Sequence, residues 1–135
     1  MLCLQDILSF PDLLSHRNET IKNLSPRLLD FDKRKENQVI FYGRIDDHSQ
    51  IIEIQSDQIN KFSNVKIYCD CSSFYYEFAY FLNNANSLYH PDKFKKAIKK
   101  KPAKENPVTG CKHCIAFANH LFRMRSRINP RLKIN

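Results

Sequence analysis

Four of the five cysteines fall in two tight pairs, Cys69-Asp70-Cys71 and Cys111-Lys112-His113-Cys114. Read as Cys-x-Cys followed much later by Cys-x-His, they offer the donor atoms for one tetrahedral zinc ion. The chemistry on offer is structural, because a closed four-ligand site leaves no coordination position for a substrate. A catalytic zinc needs an open position and a general base, and Glu77 is the one acid nearby on the following segment. The cysteine pairs have no H-x-E partner, which excludes deaminase chemistry. Neither paired carboxylates nor a nucleophile–base pair emerges. The reading is a non-enzyme with no small-molecule substrate.

Local geometry narrows the ligand set. From Val65 to Cys71 strand alternation puts Val65, Ile67, Cys69 and Cys71 on one face, with Lys66, Tyr68 and Asp70 on the other. Both thiols of the first pair therefore point the same way from a strand end. A helix turns about 100° per residue, so Cys111 and His113 cannot converge if both lie inside one. Cys111 must precede the helix in a tight turn that Gly110 helps to make, with His113 in the first turn. Helix N–H groups near that thiol favour its ionised form. Cys114 competes for the fourth place, since Cys111 and Cys114 also form a C-x-x-C spacing. Yet Cys114 shares a stripe with Ile115, Ala118 and Leu121, where a small thiol packs well. The candidate ligands are thus Cys69, Cys71, Cys111 and His113, with Cys114 as the alternative fourth.

The elements that position them read as an α+β fold: a small three-stranded antiparallel sheet with zinc-stapled helices. Residues 1–37 form a helical N-terminal arm. Leu4, Ile7 and Leu8 make its first stripe, Pro11 a boundary before Leu13 and Leu14, and Asn18-Glu19 a second start. Ile21, Leu24, Leu28 and Leu29 follow at near-helical spacing around Pro26, and Asp30 to Asn37 is a charged link. The zinc-binding domain spans 38–122 and opens with a meander: Val39 to Ile45, a turn at Asp46-Asp47-His48-Ser49, Ile51 to Gln55, then Val65 to Cys71. Ser72 and Ser73 are candidate caps for a helix from Phe74 to Asn83, whose Phe74, Phe78, Phe81 and Leu82 form a buried stripe. Residues 84–110 are a lysine-rich insertion punctuated by Pro91, Pro102 and Pro107, with room for a short helix from Pro91 to Lys100. A helix from His113 to Met124 buries Ile115, Ala118, Leu121 and Phe122, and 123–135 is a basic C-terminal tail.

Composition sets the outer bounds. A chain of 135 residues, 42% hydrophobic with ten Phe and six Tyr, suits one domain. At that size folding buries roughly two-thirds of the unfolded surface, so a metal need not be the sole source of stability. Two glycines in the chain, and no G-x-G-x-x-G or Walker sequence, exclude phosphate-cradling loops. The net charge of +8 fits a polyanionic or acidic partner. Lys95, Lys96, Lys99, Lys100 and Lys101 in the insertion, and Arg123, Arg125, Arg127 and Arg131 in the tail, are the candidate contacts. Only Tyr89 and Phe94 interleave the lysines, which gives base stacking weak support. No secretory signal or membrane-length span is visible, so a reducing cytoplasm is expected, where clustered cysteines favour metal over disulfides.

The pattern resembles a SWIM-type zinc finger: a strand pair, a Cys-x-Cys turn, a helix and a Cys-x-His segment. The run V-K-I-Y-C-D-C-S-S-F-Y-Y-E-F-A-Y from Val65, followed by G-C-K-H-C-I-A-F-A-N-H-L from Gly110, is similar to small SWIM-like proteins of large tailed phages. The resemblance covers roughly residues 38 to 122 and implies Cys69, Cys71, Cys111 and His113 as the ligands. Those proteins have an apolar residue where this chain has Cys114. The wider spacing between the pairs and the lysine-rich insertion depart from the usual cellular finger. SWIM fingers bind DNA or protein, and the phage context implies a virion component assembled in the host cytoplasm, at the neck, tail or baseplate. Its partners would be other protein subunits, with DNA as the alternative and no membrane.

Overall fold

The computed structural model describes residues 1–8, 21–105 and 109–133. Its frame is one antiparallel sheet in the order β1-β2-β3-β4, formed by Arg27–Lys35, Gln38–Ile45, His48–Ile54 and Val65–Cys69. The last three are the expected meander, except that β4 ends at Cys69 and leaves Cys71 beyond the strand. The first is a correction: the stretch expected to be helical around Pro26, and then a charged link, is strand β1. Proline removes a helix-interior N–H and clashes with the preceding turn, so Leu24 and Leu28 do not continue one helix. Instead the chain pairs with β2 from Arg27 opposite Arg44 to Lys35 opposite Gln38. Glu36 and Asn37 close that hairpin, with Asn37 in the left-handed region at φ 60°, a conformation asparagine tolerates. The sheet therefore has four strands, not three.

Strand β1 is an edge, and its charged side chains and two register shifts discourage further strand pairing. The turn between β2 and β3 is also shorter than expected. It consists of Asp46 (φ 52°) and Asp47, while His48 and Ser49 already belong to β3. The expectations for Pro11, Leu13, Leu14, Asn18-Glu19 and Pro107 fall outside the described residues.

Register aligns the buried side chains into rows. Val39, Ile54 and Val65 lie opposite one another, as do Phe41, Ile52 and Ile67, and then Gly43, Gln50 and Cys69. All of these are buried. Helix α1 (Leu4–Leu8) adds Leu4 and Ile7 to the core and packs on α3 (Lys112–Arg123), which crosses β2, β3 and β4. Phe117 of α3 lies so close to β2 that a Cβ at Gly43 would stand 2.4 Å from its ring. Glycine at 43 is a packing requirement rather than a turn.

Between the sheet and α3 the chain makes a π-helical turn, Phe74–Phe78, in which the Ala79 N–H bonds the Phe74 carbonyl, and then helix α2 (Ala79–Asn84). Phe74, Phe78 and Leu82 of the expected stripe are buried, whereas Phe81 is half-buried. The insertion holds two 3-10 turns, Pro91–Phe94 and Ala97–Lys99. It is anchored by Phe94, whose ring packs 5.4 Å from Phe74 and 5.8 Å from Tyr68.

The expected C-terminal tail contains helix α4 (Arg125–Leu132), with Ile128 and Leu132 in the core. Asn129 bonds both the N–H and the carbonyl of Ile59, and Lys33 of β1 donates to the Leu132 carbonyl. Among the described residues no helix is long and apolar enough to cross a membrane.

Candidate metal centre

The first pair is built by the end of a strand and the start of a helical turn. Cys69 closes β4, and Asp70 turns outward, accepting from the Ser49 N–H at 3.1 Å and from His48 Nδ1 at 3.0 Å. That clamp ties the Cys-x-Cys turn to the start of β3. Cys71 Sγ accepts the Phe74 N–H at 3.4 Å, so a sulfur stands at the mouth of the π-turn. Ser73, an expected cap, makes no capping bond and donates its hydroxyl to Glu77, which lies on the exposed face.

The second pair comes from a helix start. Cys111 is the extended N-cap of α3, and its carbonyl accepts the Ile115 N–H, which leaves His113 in the first turn. A Cβ at Gly110 would sit 2.7 Å from both Ile67 Cδ1 and Cys114 Cβ. No described glycine has positive φ, so crowding against β4 is what demands glycine at this turn.

These elements bring one donor atom each of Cys69, Cys71, Cys111 and His113 within 4.8 Å of one another, all on buried residues. His113 Nδ1 is 3.8 Å from Cys69 Sγ and 3.9 Å from Cys111 Sγ. A tetrahedral ion with bonds of about 2.3 Å to sulfur and about 2.0 Å to nitrogen spaces its ligands roughly 3.5–3.8 Å apart. The four are therefore placed to hold a metal ion. Cys114 is fully buried outside this set, and its thiol donates to the Tyr68 carbonyl at 3.6 Å.

The groups of the cluster polarise one another. Hydrogen bonds from the thiols of Cys111, Cys114 and Cys71 hold the Cys69 thiol far below its ordinary pKa. Contact with Cys69 and Cys71 raises His113 to about 9. Burial pushes Cys111 and Cys114 well up. Negative charge thus concentrates on Cys69 at the strand end, and the ring facing it is readily protonated.

Two supporting residues have no sequence signal. Gln50 is fully buried, and its Nε2 donates to the His48 carbonyl at 2.8 Å and towards Cys69 Sγ at 3.7 Å. Only the β3–β4 register, which sets Gln50 opposite Cys69, brings them together. The His48 ring lies 4.9 Å from that of His113 and is oriented by Asp70. Such outer contacts fix ligand orientation in metal sites. A cleft of about 480 Å³ lined by His48, Ser73, Glu77 and Lys112 reaches Cys71, Cys111 and His113, providing a way in for an ion.

The candidate basic contacts divide between the two edges of the sheet. Lys95, Lys96, Lys99, Lys100 and Lys101 are exposed on the insertion, which packs on Tyr68 of β4. Lys101 pairs with Glu105. Arg123, Arg125, Arg127 and Arg131 are exposed at the end of α3 and along α4. Helix α4 lies against β1, where Arg131 covers the Phe31 ring at 5.0 Å, and Arg125 covers Phe122 at 3.9 Å. The sequence suggested one basic character; the fold separates it into two faces.

No family model, curated protein or solved structure matches this chain.

Proposed function

We propose that the protein is a zinc-stabilised, non-catalytic structural adaptor whose ion holds β4, the π-turn and α3 together. The observation that carries this reading is the buried donor set of three thiols and one imidazole, within 4.8 Å of one another, enough donors for a tetrahedral ion from the protein alone. That Cys₃His combination suits a structural Zn²⁺ and leaves no position for a substrate. The resemblance to SWIM-type fingers of tailed phages supports a virion location, at the neck, tail or baseplate. Exposed Leu29 on the edge strand and Phe62 near α1 support contacts with other protein subunits. Cross-linking in purified particles should recover neighbouring subunits. A chain found free of any assembly would argue against the adaptor role.

Metal loading has a pH signature. At neutral pH His113, raised to about 9, and the buried Cys111 thiol hold protons that an ion must displace. Zinc binding is expected to release protons, including those on His113 and Cys111, since ligands bind deprotonated. Apparent affinity should therefore rise with pH through neutrality and fall as protons compete at lower pH. Native mass measurement should find one zinc per chain, and titration in weak buffer should detect the released acid. Affinity flat between mildly acidic and neutral pH would contradict this ligand chemistry.

A second reading is a DNA-binding module using the lysine insertion and the arginine-rich C-terminal segment. It is favoured by seven lysines between Lys93 and Lys104 against a single acid, Glu105, in the span 93–105. Binding through several phosphates must weaken steeply with salt. Lack of DNA affinity at low salt would remove this reading.

A further inference from the structure

The geometry points to a groove for single-stranded nucleic acid between the π-turn and the lysine insertion. Tyr75, Tyr76, Lys96, Lys100, Lys101 and Pro102 line a cleft of about 470 Å³, within the range that holds small organic ligands. Tyr76 is 70% exposed, the most exposed aromatic ring beside Phe62 among the described residues. It contributes little to the core. The Tyr75 ring meets it edge-on at 4.9 Å and packs in turn on buried Phe94 at 5.7 Å. Tyr76 is thus a braced ring with an open face.

It lies within the π-turn. Phe74 and Phe78 of this turn are buried in the core, and Tyr75 and Tyr76 between them lie at the rim beside the insertion. Such turns recur at functional positions. Lys96 and Lys100 stand across the groove, exposed and without an acidic partner among the described residues, whereas Lys101 is held by Glu105. Sequence order hid this pairing of aromatic and cation. It offered Phe94, which is buried, and Tyr89, which is half-buried.

An exposed ring beside unpaired lysines is complementary to a base followed by its phosphates. A duplex keeps its base faces stacked inside, and an acidic peptide would use the lysines but not the ring. The groove therefore selects an unpaired strand. It rests on the DNA-binding reading of the lysine insertion, and adds to it the strand form and the stacking residue. It does not depend on the arginines near β1.

The zinc-loaded full-length protein should bind a fluorescent oligothymidylate more tightly than a duplex of equal length, as read by anisotropy. Tyr76→Ala should weaken the single strand roughly 5- to 100-fold, as loss of one stacked base does, with the salt slope unchanged. Tyr76→Phe should retain binding, because the π face remains. The double change Lys96→Gln with Lys100→Gln should lower the salt slope by about 1.4, at about 0.7 per phosphate contact. If duplex binds as well and Tyr76→Ala changes nothing, the groove is wrong while the DNA-binding reading stands. If neither oligonucleotide binds at low salt, both fall. Equal competition by polyglutamate would also overturn the groove, since charge alone would then explain binding.

Discussion

Cys111→Ser is expected to lose the metal and most of the folding cooperativity, while Cys114→Ala keeps both. The two positions lie three residues apart and both are buried, so burial cannot tell them apart; membership of the donor set does. Cys111 Sγ faces His113 Nδ1 and belongs to the set of four. Cys114 Sγ faces a backbone carbonyl. A structural zinc contributes on the order of 10–16 kcal/mol to small finger peptides. Here the sheet and the α1–α3 packing remain, so the loss is smaller, yet a serine hydroxyl would also be left buried beside three other donors. Removal of the Cys114 sulfur costs its packing and its weak contacts with the Tyr68 carbonyl and Cys69, on the order of 1 kcal/mol. Metal content and thermal unfolding with and without chelator separate the outcomes. Metal loss in Cys114→Ala, together with retention in His113→Ala, would show that the fourth ligand is the cysteine.

The second large effect is at a residue with no polar chemistry. Gly43→Ala places a Cβ between 2.4 and 2.7 Å from three atoms of the Phe117 ring. Phe117 has no exposed surface into which to retreat. Forcing a methyl into so close a contact costs typically 1–3 kcal/mol. The strain reaches the metal centre as well, because α3 carries Phe117 and is capped by Cys111. Pairing Gly43→Ala with Phe117→Leu should recover part of the loss, since the smaller side chain makes room. Denaturant midpoints for the two single changes and the double change give the coupling, which contacting residues show at 0.5–3 kcal/mol. Simple additivity would mean that the ring does not press on β2.

The contrast between these two sites explains how much could be read in advance. The aim of Cys69 follows from period-2 alternation along β4, and the convergence of Cys111 with His113 from the impossibility of meeting inside one helix. Both are local rules acting over a few residues. The stripe that claimed Cys114 for the core is equally local, and the structure puts that side chain at full burial. Strand β1 carries no such local signature. Its burial does not alternate cleanly, because it is a bulged, charged edge, and two leucines on either side of Pro26 imitate helical spacing.

What stayed hidden depends on distance along the chain. Gln50 meets Cys69 only because β3 and β4 pair in one register, and a shift of one residue would turn Gln50 away. His48 reaches His113 through that same pairing and the Asp70 clamp. The basic residues, continuous in character along the C-terminal half, sit by opposite edges because α4 docks on β1 and the insertion on β4. Tyr76 shares a cleft with Lys96 and Lys100 because Phe94 anchors the insertion against Phe74 and Tyr75. Ligand type and direction were written in residue spacing. Support, separation of charge and the aromatic groove arise from long-range pairing and packing, whose energies no short window of sequence contains.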